Sequence, residues 1–135
     1  MSNILPQGSD SNDCVFCAQV AHGPRTVAWD AAVAFPDGYP ITPGHTLVVP
    51  RTHVADLFDL APPDLAAVWR LVAYVRDVLT VRERPDGFTV GVNVGAAAGQ
   101  TVPHAHVHVV PRRWGDVADP RGGVRWVVPA EAAYW

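Results

Sequence analysis

A run of alternating residues near the end of the chain places the strongest constraint on its fold. From His104 to Val109, histidines alternate with alanine and valine. Successive side chains of a β-strand point to opposite faces, so this run predicts a strand with His104, His106 and His108 on one face and apolar residues on the other. We therefore expect three imidazoles along one side of a sheet.

The remaining pattern predicts an α+β domain around this strand. Apolar residues from 65 to 79 recur every three or four positions, which predicts one long helix from Pro62 to about Thr80. A short N-terminal helix is expected near Cys14. Extended segments at 26–30, 31–35, 46–50 and 88–93 complete an antiparallel sheet of about five strands.

Length, composition and charge restrict the domain organisation and the class of protein. The 135 residues suit one compact domain, and we expect residues 1–12 to be a flexible N-terminus and residues 13–135 to form that domain. Ten basic against thirteen acidic residues disfavour binding to a nucleic acid polymer. No apolar run reaches the roughly 18 residues of a membrane span, and no export signal is visible, so we expect a cytoplasmic protein with no membrane partner.

The chain has two cysteines, Cys14 and Cys17, separated by two residues. This spacing fits a metal clip or a redox pair better than a structural disulfide. By itself it leaves open a thioredoxin-like pair, half of a zinc site, or coincidence. The absence of a following βαβ pattern argues against the thioredoxin-like pair.

Three interpretations of the histidine run have to be compared. The imidazoles could be hydrogen-bonded core residues, ligands of a catalytic metal, or groups that act in nucleophilic catalysis. No carboxylate lies within the run to orient a catalytic metal site. A neutral imidazole can attack phosphorus, and neighbouring imidazoles can donate hydrogen bonds to the oxygens that gain charge. We favour nucleophilic catalysis.

Two segments resemble a known family. Residues 99–113, GQTVPHAHVHVVPRR, contain the His-x-His-x-His motif of the histidine triad (HIT) family of nucleotide hydrolases and transferases, and they are most similar to its fragile-histidine-triad branch. Residues 43–53, PGHTLVVPRTH, are similar to a second recurrent segment of that family. The resemblance covers about residues 14–114. It implies a HIT-like fold, a homodimer, and attack on the α-phosphate of a nucleotidyl substrate through a covalent nucleotidyl-histidine intermediate.

The resemblance also implies individual roles. His106 would be the nucleophile, and this role requires its ring to be exposed on the floor of a pocket. His108 would contact phosphate oxygens, and His45 would orient the nucleophile from behind. The implied substrate contacts are Phe35 beside the base, Asp37 on the ribose, Asn93 on phosphate or ribose, and Gln100, Thr101 and His108 on the phosphate or bridging oxygen. The polar loop residues among them could instead serve only their turns. The substrate would be a dinucleoside polyphosphate, a nucleoside phosphoramidate or an aminoacyl-adenylate, of adenosine or guanosine type, and no catalytic cofactor is expected.

A structural zinc site follows from the same resemblance. Many bacterial members carry such a cysteine pair and complete a tetrahedral site with two histidines, which here correspond to His53 and His104. The implied ligands are Cys14, Cys17, His53 and His104, with reduced free thiols as the alternative. The cysteine pair is atypical of the fragile-histidine-triad branch, so the substrate of that branch cannot be assigned to this protein. A non-catalytic nucleotide-binding or scaffold protein and a metal-dependent hydrolase remain the competing functions.

Overall fold

The computed structural model describes residues 12–24 and 26–135, so the predicted flexible N-terminus lies outside the described residues except for Asn12. Five strands form one sheet in the order β1-β2-β3-β5-β4, and every neighbouring pair is antiparallel. The strands are β1 Val27–Ala28, β2 Ala32–Pro36, β3 Thr46–Pro50, β4 Gly87–Val92 and β5 Val107–Arg112. The predicted α+β fold with a five-stranded antiparallel sheet is confirmed.

The long helix α2, Pro62–Glu83, covers one face of the sheet. Prolines at its first two positions and Asp64 in its first turn suit a helix N-terminus. It ends at Glu83, three residues beyond the predicted Thr80, and its C-cap Arg84 has a left-handed backbone (φ 49°, ψ 52°). Its buried stripe packs on apolar side chains of β2, β3 and β5, and the stripe comprises Ala67, Val68, Leu71, Val72, Val75 and Leu79.

The short helix α1, Val15–His22, lies on the opposite face. Its residues Phe16 and Val20 pack against a second apolar cluster formed by alternate residues of β2 and β3, namely Val33, Phe35, Leu47 and Val49. At its start, the backbone N–H of Cys17 donates to Sγ of Cys14 over 3.3 Å. The predicted N-terminal helix is therefore confirmed, and it covers the face of the sheet that carries the histidines.

The strand predicted from His104 begins later, at Val107. In the pairing of β5 with β3, Val107 is opposite Val48, and the next positions on β3 lead to Pro50. Proline has no N–H to donate to a ladder. Instead of continuing the ladder, the N–H of Ala105 donates to the carbonyl of Val54 over 2.7 Å. His104 and His106 therefore lie in the segment that enters the strand.

After β5 the chain continues in a 3-10 turn, Gly123–Val127, and a four-residue helix α3, Pro129–Ala132, neither of which the sequence predicted. Among residues 12–24 and 26–135, no helix combines the length and apolar character needed to cross a bilayer.

Candidate active site and metal site

The side chains of the histidine run point alternately to the two faces of the sheet, although the first half of the run is not part of a strand. Ala105, Val107 and Val109 are buried in the core beneath α2. His108 stands opposite Leu47 on β3 and Gly91 on β4, so its side chain lies on the other face of the sheet. The ring centroids of His106 and His108 are 5.1 Å apart. The apolar residues thus anchor the segment, and the imidazoles share the face covered by α1.

His106 is held in one tautomer by the backbone. Its Nδ1 lies 2.9 Å from the carbonyl oxygen of His104, so Nδ1–H donates to that oxygen. In a neutral imidazole the other nitrogen, Nε2, then carries a lone pair. Burial lowers the pKa of His106, against the opposing effects of this hydrogen bond and of Asp37. The ring is therefore neutral at pH 7 and has an unprotonated nitrogen, as a nucleophile requires.

The exposure expected for His106 is wrong. The residue is only 7% exposed. The ring of Phe16 packs against it edge-on, with 4.9 Å between centroids and 76° between planes. Phe16 of α1 therefore covers part of a ring that was expected to be open to the pocket.

A chain of hydrogen bonds fixes the protons of two more histidines. The N–H of Ile41 donates to Nδ1 of His45 over 3.2 Å, so a neutral His45 must carry its proton on Nε2. That nitrogen lies 2.9 Å from Nδ1 of His108 and donates to it. The remaining nitrogen of His108, Nε2, then bears the proton. His108 is thus a hydrogen-bond donor through Nε2.

His45 therefore acts on His108, whereas the sequence placed it behind His106. His45 is 4% exposed, and its burial lowers its pKa. Burial, with smaller contributions from His106 and His45, lowers the pKa of His108 to about 4. Both rings are neutral at pH 7, in agreement with the proton positions that the hydrogen bonds require.

The carboxylate of Asp37 faces this histidine pair. Its Oδ1 accepts the N–H of Tyr39 over 2.8 Å, while Oδ2 lies 3.4 Å from Nε2 of His45 and 3.9 Å from Nδ1 of His108. Asp37, His45 and His108 are close enough to hold a cation. However, the N–H of Ile41 occupies the lone pair on Nδ1 of His45, which leaves the proton on the nitrogen that would have to bind the metal. The three residues therefore do not suit a metal site.

The other expected substrate contacts fall in different environments. Gln100 is buried, and its amide is used by the backbone: Oε1 accepts the N–H of Gly95, and Nε2 donates to the carbonyls of Ala55 and Val102. The structure thus gives Gln100 the role of tying a loop together, in contrast to the expected contact with substrate. Thr101 beside it is exposed, and Asn93, just past the end of β4, is half-buried.

A cleft of about 930 Å³ includes His45 in its lining, whereas His106 and His108 do not line it. Phe35 and Asp37 line the cleft together with residues of α2 that include Tyr74 and Arg82. Phe35 is 4% exposed and packs on Phe16 with ring centroids 5.7 Å apart. The residues lining the cleft therefore include two of the expected substrate contacts, Phe35 and Asp37.

The four residues expected to bind zinc converge on one point. Nδ1 of His104 lies 3.5 Å from Sγ of Cys14, 3.4 Å from Sγ of Cys17 and 3.3 Å from Nδ1 of His53. Sγ of Cys17 lies 3.3 Å from Nδ1 of His53. A tetrahedral zinc ion, with bonds of about 2.0–2.1 Å to nitrogen and about 2.3 Å to sulfur, sets its ligand atoms roughly 3.3–3.8 Å apart. The donor set and its spacing fit zinc.

Hydrogen bonding supports the same ligand set. Nε2 of His104 lies 2.8 Å from the carbonyl oxygen of Pro50, so Nε2–H donates there and Nδ1 presents its lone pair to the cluster. A single nitrogen cannot make directional hydrogen bonds to three neighbours, whereas it can share one cation with them. Burial and the neighbouring Cys14 raise the pKa of Cys17 to about 11, and a cation at the centre of the cluster would oppose this effect.

Sequence reasoning missed Phe16 and the amide of Ile41. Phe16 lies between the two cysteines, and a residue between two metal ligands must lie near the other ligands as well. Its position in the sequence could therefore have indicated a contact with His104 or its neighbours. Ile41 contributes a backbone N–H, for which its side chain gives no signal.

Fold and site together define a small α+β domain with a histidine cluster beside a Cys₂His₂ site. A model of the HIT domain matches residues 24–115. An uncharacterized HIT-like protein of Saccharolobus solfataricus is 39% identical over 101 residues, which cover 73% of this chain and 73% of that protein. The chain belongs to the HIT domain family.

Two further similarities bear on function. An asymmetrical bis(5'-nucleosyl)-tetraphosphatase of Schizosaccharomyces pombe is 39% identical over 88 residues, which cover 65% of this chain and 48% of that longer protein. The crystal structure of a zinc-bound histidine triad family protein from Mycobacterium smegmatis matches with a TM-score of 0.72 and 37% identity, covering 82% of each chain.

Proposed function

We propose that this protein is a nucleotide hydrolase or transferase that attacks the α-phosphate of its substrate with Nε2 of His106. The observation that carries this proposal is the hydrogen bond from Nδ1 of His106 to the carbonyl of His104, which leaves a neutral ring with a lone pair on Nε2. The neighbouring rings of His45 and His108 offer no free lone pair. Both nitrogens of His45 have partners, and His108 accepts a hydrogen bond at Nδ1 and carries its proton on Nε2.

The reaction proceeds in two displacements. The lone pair on Nε2 of His106 forms a nitrogen–phosphorus bond while the bond from phosphorus to the leaving group breaks, and the leaving group takes the electron pair. Water or another acceptor then attacks phosphorus. The nitrogen–phosphorus bond breaks, the imidazole recovers its lone pair, and water loses a proton to solvent as the nucleoside monophosphate departs.

His108 stabilises both transition states by donating Nε2–H to a phosphate oxygen. This direction of donation follows from the bond that His108 accepts from His45. Because both rings are neutral, their support to the phosphate is that of oriented dipoles. Asp37, 3.4 Å from Nε2 of His45, would stabilise any positive charge that reaches His45.

The substrate class is a nucleotidyl compound with a leaving group on its α-phosphate, such as a dinucleoside polyphosphate, a nucleoside phosphoramidate or an aminoacyl-adenylate. The similarity to a bis(5'-nucleosyl)-tetraphosphatase supports the first of these. Phe35 and Asp37 border the cleft where an adenosine or guanosine moiety would lie, and Asn93 and Thr101 are the polar side chains proposed to contact its phosphates. The Cys₂His₂ cluster would hold a structural zinc ion, and catalysis would need no cofactor.

The burial of His106 favours a second candidate function. A ring that is 7% exposed and packed against Phe16 also suits a protein that binds nucleotides without turning them over. The two functions make different predictions for the same variant.

The test replaces His106 with asparagine, and the matched control replaces the exposed His22 of α1 in the same way. Turnover of a nucleotide panel is measured together with nucleotide binding by calorimetry. We expect H106N to bind nucleotide but to lose turnover about a thousandfold or more, with H22N unchanged. Wild-type binding with no turnover on any substrate would favour the second candidate, and unchanged turnover in H106N would refute the nucleophile.

A further inference from the structure

Phe16 connects the metal cluster to the proposed nucleophile. In the chain it lies between the ligands Cys14 and Cys17. In space its ring meets His104 edge-on, with 6.1 Å between centroids and 75° between planes, and meets His106 at 4.9 Å and 76°. One side chain on the clip thus touches both a proposed zinc ligand and the proposed nucleophile.

Three polar and aromatic contacts orient the ring of His106 among the described residues. They are the hydrogen bond to His104, the edge contact with Phe16 and the ring of His108 at 5.1 Å. The last torsion of a histidine is broad and roughly two-fold, and a flip of the ring would place Cδ2 where Nδ1 lies and break the hydrogen bond to the carbonyl. A rigid neighbour packed against the ring opposes that flip and keeps Nδ1 on the carbonyl.

The position of Phe16 depends in turn on the metal cluster. None of residues 15–22 is fully buried, so α1 has little core of its own. Phe16 and Val20 attach it to the sheet through partly buried contacts, while Cys14 beside it is 3% exposed. A clip that closes on His53 and His104 would fix the start of α1 and with it the ring of Phe16.

We propose that Phe16 is a positioning residue, which the Cys₂His₂ cluster holds against His106 so that the ring of His106 keeps its hydrogen bond to the carbonyl of His104. The proposal rests on the proposed role of His106 as nucleophile. Edge-to-face aromatic contacts of this kind are modest in energy, so loss of the ring edge should lower kcat about tenfold and leave KM within about twofold.

The experiment compares Phe16→Leu, which removes the aromatic ring, with Phe16→Tyr, which keeps an aromatic ring at this position. Val20→Ala is the matched control, because Val20 lies on the same helix and packs on the same apolar cluster. Phe16→Met replaces Phe16→Leu if the latter does not fold. Each variant is measured for kcat, KM, bound zinc, and the ¹⁵N signals of the His106 ring.

We expect F16L to lower kcat, retain zinc and lose the single Nδ1–H signal of His106, with F16Y close to wild type and V20A unaffected. Unchanged ring signals and kcat in F16L would overturn the proposal. A change confined to KM would also overturn it, because Phe16 would then only contact substrate, and so would an increase in kcat, because Phe16 would then only block the site. The ring signals report the orientation of His106 independently of turnover. If H106N shows that His106 is not the nucleophile, the ring signals of F16L still show whether Phe16 orients the ring.

Discussion

Two backbone groups, the N–H of Ile41 and the carbonyl of His104, decide where the protons of three histidines lie. Each group occupies one ring nitrogen, and the tautomers of His45, His106 and His108 follow. The result is one imidazole that offers a lone pair and one that offers a proton, side by side at 5.1 Å. Neutral rings of opposite function are what a phosphoryl transfer needs from two adjacent residues.

The low pKa of His108 predicts an acid-sensitive stability. Its pKa is about 4 in the folded protein and near 6.5 in the unfolded chain. As the pH falls from about 6.5 to 4, the unfolded state takes up the proton first, so this residue makes the protein less stable over that range and has no such effect at pH 7.5 or above. We expect chemical denaturation to show wild type losing stability relative to His108→Asn as the pH falls. A stability difference that stays constant from pH 7.5 to 4 would contradict the shift.

Gln100 should matter for stability. Replacing it with alanine removes three hydrogen bonds to the backbone of two loops and should lower the free energy of unfolding by about 1–3 kcal/mol. Urea denaturation measures this change, and Thr101→Ala, an exposed neighbour, should stay within about 0.5 kcal/mol. A Gln100→Ala variant with wild-type stability and a raised KM would contradict this structural role and support the contact with substrate that the sequence analysis expected.

At the level of elements, periodicity predicted most of the fold because it reports which face of each element is buried. The three- and four-residue spacing placed α2, and the segment 46–50 coincides with β3. The start of β5 was wrong because Pro50 on the neighbouring strand cannot donate to the ladder, a constraint that lies outside the histidine run itself. Hydrogen bonds between distant segments, such as that from His45 to His108, could not be read from local sequence.

The buried stripe of α2 carries much of the packing on its face of the sheet. Leu71 of α2 is fully buried in the core between the helix and the sheet, so Leu71→Ala should destabilise the protein by about 2–5 kcal/mol. Val81→Ala is the control on the same helix, because Val81 is 77% exposed and should change stability little. Equal effects in thermal or urea unfolding would mean that this face of α2 is not the buried one.

Removal of the proposed zinc ion should loosen α1. Cys17→Ser, or prolonged chelation of the wild-type protein, should reduce bound zinc below one per chain and lower the melting temperature by about 5 °C or more, because the clip joins α1 to His53 and His104. Elemental analysis and calorimetry measure the two effects, with His22→Asn as a control on the same helix. Zinc-free protein that melts at the same temperature as wild type would contradict a structural role.

At the scale of the whole molecule, the sheet is open at β4, which pairs only with β5 among the described strands. An unpaired edge is a natural surface for a second chain. Together with the homodimer implied by resemblance, this predicts a mass in light scattering of twice 14.5 kDa. A monomer at micromolar concentration would contradict it.

The overall site was only partly predictable. The cysteine pair, the histidine run and the segment 43–53 supplied the candidate ligands through the resemblance, and the structure brings together Cys14, Cys17, His53 and His104. The covering of His106 by Phe16 depends on where α1 settles on the sheet, which the pattern of α1 alone does not specify.

The most direct test of the central claim is intact-mass analysis of the protein after rapid mixing with a dinucleoside polyphosphate and acid-free quenching, followed by peptide mapping. The account predicts a transient adduct of one nucleoside monophosphoryl group on the peptide that contains His106, absent in H106N and unchanged in H22N. Turnover without any adduct, or an adduct on another residue, would contradict it.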